Sequence, residues 1–262
     1  MATRKIGLAL GGGGARGLAH IGVLAELEKA GVEIGWIAGT SAGSLVGALF
    51  AHGYSAAEIL ELAESTKWRD LAGINLPKVG LSNFEPMEHL LNELLNEATF
   101  SDLKIPFAAV TCDLRTGNEV ALKQGNVARA VRASCSIPGI FVPVEDGEML
   151  LTDGGVVNGV PVNVARSLGA KKVVAVQLHS GEEPVAKLDN IFAILMQSLE
   201  IMQRSQTMEK PDVLLLPDVV KIGIFDFQKV KDGYEAGCRA VRLHKDDITK
   251  LARTRMFGIG KG

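Results

Sequence analysis

The chain of 262 residues is 47% hydrophobic and 22% charged, a globular composition that excludes disorder and suffices for a large core. Its net charge of −2 gives no electrostatic reason to expect nucleic acid or strong attraction to anionic membranes. The three cysteines, Cys112, Cys135 and Cys238, are scattered and odd in number, so neither a disulfide framework nor a zinc site is expected, and a reducing, cytoplasmic setting is.

The apolar run Ile6–Leu10 is too short for a signal segment and ends in glycines, so it reads as a buried strand. Leu18, Ile21, Leu24 and Leu27 then fall on one helical face, and Gly31 stands where a C-terminal cap belongs. A second strand is expected over Val32–Ala38 and a buried helix over Ala42–His52. The stretch Ile34 to Ala57 carries no Asp, Glu, Lys or Arg, but its centre, Gly39 to Ser44, is polar and turn-forming, so it is read as buried rather than membrane-spanning. Amphipathic helices are expected over Ser55–Lys67 and Met87–Ala98, around a long loop, Ala72 to Pro86, of the kind that forms lids. Strands follow at Phe107–Leu114 and Asn118–Lys123, a helix at Val127–Cys135, and a hairpin of Ile140–Val144 with Glu148–Thr152. Pro161–Leu168 reads as a helix, Lys172–His179 as a strand, Asn190–Met208 as a long helix and Val213–Leu216 as a strand, with a mostly helical remainder. Strands alternating with helices predict an α/β fold, a three-layer sandwich with a mainly parallel central sheet flanked by helices. Nothing resembling a linker or repeat divides the chain, and one domain over residues 1–262 is expected.

Two glycine motifs carry the chemistry. Gly39-Thr40-Ser41-Ala42-Gly43 is a G-x-S-x-G sequence between a strand and a helix, the setting in which a sharp turn lifts a serine hydroxyl above the sheet and the flanking glycines relieve collisions. Ser41 is thereby the candidate nucleophile. Gly11 to Gly17 (GGGGARG) also joins a strand to a helix, and its bare N–H groups can cradle an anion, for a hydrolase the oxyanion of a tetrahedral intermediate. Arg16 adds a charge that either steadies this loop, meets a phosphate or forms a surface salt bridge. The same loop fits the dinucleotide pattern through Gly12, Gly14 and Gly17, which keeps a Rossmann-type reading open. That reading lacks its ribose-binding carboxylate: the second strand ends in Thr40-Ser41, and Glu33 stands at its wrong end.

A serine needs a base. Asp153, ending the run Met149–Thr152 before two glycines, is the best-placed carboxylate; Asp113 reads instead as the cap of a turn. Of the five histidines, His20 and His52 lie on helices where packing explains them, and His89 and His244 lie on polar faces. His179 completes the order Ser…Asp…His found in α/β-hydrolases, though those enzymes place more strands before the nucleophile.

The succession GGGGARG, GTSAG, ASCSIPG (Ala133–Gly139) and DGG followed by Asn158 and Pro161 resembles the patatin-like phospholipases, in their bacterial and neuropathy-target-esterase-like branch. Phe225–Gly237 is similar to the C-terminal block of that branch. The resemblance implies a Ser41–Asp153 dyad without a catalytic histidine, an oxyanion hole at Gly12, Gly13, Gly14 and Arg16, and no metal or cofactor. It implies hydrolysis of an acyl ester in a phospholipid or lysophospholipid through an acyl-serine; an acyltransferase would carry the same motifs. The partners so implied are a lipid or acyl-ester substrate and transient contact with a membrane surface, with Ile222–Phe225 and Met256–Ile259 as apolar stretches that suit either such contact or the core.

Overall fold

A computed structural model describes residues 4–66, 82–179 and 188–252. These residues form an eight-stranded sheet: β1 (Ile6–Leu10), β2 (Ile34–Thr40), β3 (Phe107–Asp113), β4 (Glu119–Leu122), β5 (Val144–Asp146), β6 (Met149–Asp153), β7 (Val173–Val176) and β8 (Val213–Leu215). The order is β5-β6-β3-β2-β1-β7-β8, with β4 also on β3. Strands β3, β2, β1, β7 and β8 run parallel, while β4, β5 and β6 make an antiparallel margin.

Alternation of side chains sorts the core into two layers. Leu8, Leu10, Ile37, Phe107, Val174 and Val176 face a deep helical layer. It contains α1 (Leu18–Lys29), α2 (Ala42–His52), α3 (Ala56–Ser65), α4 (Glu85–Leu94) and α5 (Val127–Ser134). On the other face Ala9, Ala38, Ala108 and Ala175 leave room for α6 (Val162–Ser167) to lie close to the sheet. A Cβ on Gly7 would sit 2.4 Å from Ala170 Cβ on that side, which shows how little depth is spare. The remaining helices are α7 (Ile191–Arg204), α8 (Val230–Leu243) and α9 (Lys245–Ala252).

The chain builds outward from β1 in one direction through β2 and β3, then returns to the other flank of β1 with β7 and β8. The order therefore reverses at β1, and in such sheets ligands bind beyond the carboxyl ends of the strands at the reversal. Both glycine motifs sit there, since Leu10 pairs with Gly39.

The α/β reading, the mainly parallel sheet and α2 are as expected. Several boundaries differ for physical reasons. Ile140–Val144 does not extend as a strand: with Gly139 at φ +79°, Ile140 and Phe141 turn back to donate to the Ile137 carbonyl, and only Val144–Asp146 pairs in the hairpin. The helix after the long loop starts at Glu85, with Pro86 in its first turn, and ends at Leu94. Strand β7 stops at Val176, so His179 lies beyond it, and α7 ends at Arg204. Of the expected loop, residues 72–81 lie outside the described residues, as do Met256–Ile259. No described helix is long and apolar enough to cross a membrane.

Candidate active site

The meeting of Ser41 with Asp153 follows from strand register. At Ala109 and Val110, β3 pairs with β2 and β4 together; at Thr111 and Cys112 it pairs with β4 and β6 together. A strand has two edges, so β2 and β6 occupy the same edge of β3 in succession. Thr40 lies opposite Val110 and Asp153 opposite Thr111, which brings the ends of the two strands together. Ser41 leaves one end and Asp153 closes the other, so both line one cleft, where the serine hydroxyl favours the ionised carboxylate.

Each residue is held from several directions. Ser41 has φ +52° and ψ −124°, a region that L-residues seldom occupy, as a sharp strand-to-helix turn demands. Gly39 and Gly43 permit it: a Cβ on Gly39 would lie 2.4 Å from the Gly43 carbonyl oxygen, and one on Gly43 would lie 2.1 Å from that of Leu10. The Ser41 N–H donates to Ser134 Oγ at 2.9 Å, and that hydroxyl donates onward to the Val110 carbonyl at 2.6 Å. Asp153 is anchored through its own N–H on the Ser136 carbonyl, and Gly155 N–H donates to its Oδ1 at 2.8 Å. Ser134 and Ser136 thus tie the nucleophile candidate and the carboxylate to one short segment. Their role was not visible in the sequence beyond their presence in the ASCSIPG block.

Burial is the main influence on Asp153, pushing its carboxyl up from 3.8 to about 6, while the hydrogen bonds from Ser41 and Gly155 favour the ionised form. Asp113 caps a turn, as read from sequence: it accepts from Leu150 N–H, Arg115 N–H and the Thr116 hydroxyl, and these bonds draw its carboxyl down.

The glycine loop lies beside Ser41. Its Gly12 N–H is engaged by the Gly159 carbonyl at 3.0 Å and its Gly11 N–H by that of Val176. The N–H groups of Gly13 and Gly14 donate to no group among the described residues, so these two, rather than Gly12, are left to meet an anion. Gly14 has φ +57°, and a Cβ there would strike the Ile224 carbonyl oxygen at 2.3 Å. Gly17, the last glycine of the dinucleotide pattern, serves packing: a Cβ would lie 2.4 Å from Ala42 Cβ at the start of α2. His20 is fully buried beneath the loop and its Nε2 is 2.8 Å from the Gly11 carbonyl; burial pulls its pKa down to about 4, so the ring is neutral and Nε2–H donates.

Arg16 is not a surface residue. It is buried, donating to the Ile222 carbonyl, to Glu200 Oε1 at 2.9 Å and to His179 Nδ1 at 3.0 Å. A guanidinium only donates, so His179 Nδ1 must be the unprotonated acceptor. In a Ser–His–Asp triad that nitrogen carries the proton given to a carboxylate. The arrangement around His179 has the opposite polarity.

Two openings meet at Ser41. A narrow cleft contains Gly13, Gly14, Ser41 and Asp153, with Met196, Leu199 and Gln203 of α7 along its wall. A cavity of about 490 Å³ extends from Ser41 between α2, α3 and α4, lined by apolar side chains such as Leu45, Leu49, Ile59, Leu91 and Phe141. Its volume and lining suit a long apolar group. No motif in the sequence marked these side chains, because they come from separate helices.

The patatin-like phospholipase family model matches residues 8–166. The chain belongs to this family. An uncharacterized NTE family protein of Mycobacterium tuberculosis is 33% identical over 271 residues, covering 92% of this chain and 46% of that protein. Patatin-like phospholipase domain-containing protein 6 of Homo sapiens is 35% identical over 187 residues, covering 68% of this chain and 14% of that protein. The chain thus spans about half the length of the mycobacterial relative. Among solved structures, VipD from Legionella pneumophila superposes with a TM-score of 0.61 at 15% identity, over 93% of this chain and 70% of that one. The type III effector ExoU of Pseudomonas aeruginosa gives 0.55 at 15% identity, over 94% and 53%. At that identity the likeness speaks for the fold alone.

Proposed function

We propose that the protein hydrolyses acyl esters of phospholipids or lysophospholipids through Ser41 and Asp153. The observation that carries this reading is the meeting of Ser41, on a strained turn, with Asp153 in one cleft, at the junction of the Gly13–Gly14 amides with an apolar cavity.

An acyl chain enters the cavity and presents its ester carbonyl to Ser41. The Ser41 oxygen attacks while its proton passes to Asp153, and the carbonyl oxygen becomes an anion that accepts from Gly13 and Gly14 N–H. Protonated Asp153 then gives its proton to the departing alcohol, leaving acyl-Ser41. Water, deprotonated by Asp153, attacks the acyl carbon, and collapse of the second tetrahedral species frees the fatty acid and returns the proton to Ser41. Arg16, His20 and Ser134 are positioning residues in this scheme. They hold the glycine loop and the turn, and none reacts.

The test is labelling with a fluorophosphonate. Adduct mass on the peptide containing Ser41, abolished in Ser41→Ala and sharply slowed in Asp153→Asn, is the expected result; adduct on another serine would overturn the assignment.

A further inference from the structure

Helix α7 is amphipathic in the wrong sense for a water-facing element. Its inner side, with Leu195, Met196, Leu199 and Gln203, packs on the turn at Gly139 and walls the cleft beside Ser41 and Asp153. A Cβ on Gly139 would meet Leu195 at 2.7 Å and one on Gly155 would meet Gln203 at 2.2 Å, so the helix is seated tightly. Its outer side follows the spacing Ile191, Ile194, Ser198 and Ile201, with Met202 alongside and Ser205 next in the row as the C-cap. All six are exposed, Ile191 by 86%, and none is charged; the exposed charge of the helix, Arg204, stands at its last turn. Surface helices ordinarily turn charged and polar groups outward.

We infer that this outer face of α7 lies on a lipid surface and places the cleft mouth against it. The inference rests on the phospholipid-hydrolase reading above, and three observations favour a lipid as the occupant. The same helix walls the cleft that holds Ser41 and Asp153, so whatever covers its outer face sits beside that pair. Its uncharged, aliphatic character suits the acyl boundary of a bilayer rather than an ionic protein surface. Phe225, an exposed aromatic, lines the cavity, and its neighbour Ile224 lines cleft and cavity alike, so an exposed apolar side chain belongs to the cavity wall as well as to the helix.

The experiment compares the full chain with Ile191→Gln/Ile194→Gln/Ile201→Gln, replacements that keep helix-forming residues at exposed positions. Co-sedimentation with phosphatidylcholine vesicles, chosen to remove any contribution from net lipid charge, is measured beside turnover of a water-soluble p-nitrophenyl butyrate. The expected result is roughly tenfold or greater loss of vesicle-bound protein, as three aliphatic anchors are removed, with turnover of the soluble ester unchanged. Ser41→Ala binds vesicles as the parent does. Equal vesicle binding by parent and triple variant, or none by either, overturns the inference. So does a parent that is dimeric without lipid and becomes monomeric in the variant, since the face would then pair two copies. Should the triple variant lose its helical spectrum, Ile191→Gln alone carries the same comparison. Vesicle binding without soluble-ester turnover in the parent would instead count against the hydrolase reading and leave the docking surface standing.

Discussion

At the scale of single residues, Asp153 sets both the pH behaviour and a cost in stability. Its folded value of about 6 lies above its ordinary 3.8 because the site is buried. Hydrolysis that needs the ionised form should therefore rise with an apparent pKa near 6 in kcat/KM, a profile that Asp153→Asn removes with a loss on the order of 10²–10⁴-fold. The linkage sign follows from the raised value. The carboxyl costs the folded state nothing below its unfolded value of 3.8, and the cost grows until pH passes about 6. At about 1.4 kcal/mol per pKa unit, it reaches roughly 3 kcal/mol at neutral pH. Asp153→Asn is expected to be more stable than the parent at pH 8, with the gap closing towards pH 4; urea titrations at both values measure it. A variant less stable at pH 8 would show that the carboxylate's hydrogen bonds outweigh its burial. His179→Ala should retain most of the ester turnover, because its Nδ1 faces Arg16 with the polarity opposite to a triad. Turnover as low as that of Ser41→Ala would replace the dyad by a triad.

At the scale of elements, helix α1 matters because it leaves directly from the glycine loop, and α8 braces it. The two cross at contact distance: a Cβ on Gly22 would lie 1.9 Å from the Tyr234 carbonyl oxygen, and one on Gly237 would lie 1.9 Å from that of Ala19. Both obstacles are backbone, which cannot step aside as a side chain can. Gly237→Val should therefore cost about 1–3 kcal/mol or more through overpacking, read by thermal melting, with the loss of turnover following the loss of fold. Gly14→Ala makes the complementary case within the loop. With φ at +57° and the Ile224 carbonyl in the way, the change should depress kcat more than KM, because it displaces the amides proposed to meet the oxyanion. The elements around β1 and β2 were legible in sequence because local signals sufficed: apolar runs ended by glycines, and a periodic face between Leu18 and Leu27. The crossing of α1 with α8 was not, since Gly22 and Gly237 are 215 positions apart and neither carries a mark of its partner.

On the scale of the whole molecule, the sheet reversal at β1 gathers parts that are remote in sequence. The candidate pair Ser41 and Asp153 could be picked out as residue types at the ends of strands, yet their contact depends on β2 and β6 sharing one edge of β3, a register no local pattern encodes. Arg16 shows the same limit from the other side. Its position in GGGGARG suggested an anion contact, but its bonds to Ile222, Glu200 and His179 clamp the loop against α7 and the segment before α8. The apolar cavity is likewise assembled from α2, α3, α4 and the turn at Ile140, none of which looked unlike an ordinary core element. Acyl chains of increasing length should therefore bind more tightly until the cavity of about 490 Å³ is filled, seen as falling KM along a series of p-nitrophenyl esters.

The most direct measurement is steady-state hydrolysis of a medium-chain p-nitrophenyl ester by the parent, Ser41→Ala and Asp153→Asn, each shown to be folded. The Ser41–Asp153 assignment predicts turnover in the parent that falls to the uncatalysed rate in Ser41→Ala and close to it in Asp153→Asn. Turnover surviving in a folded Ser41→Ala protein would contradict it.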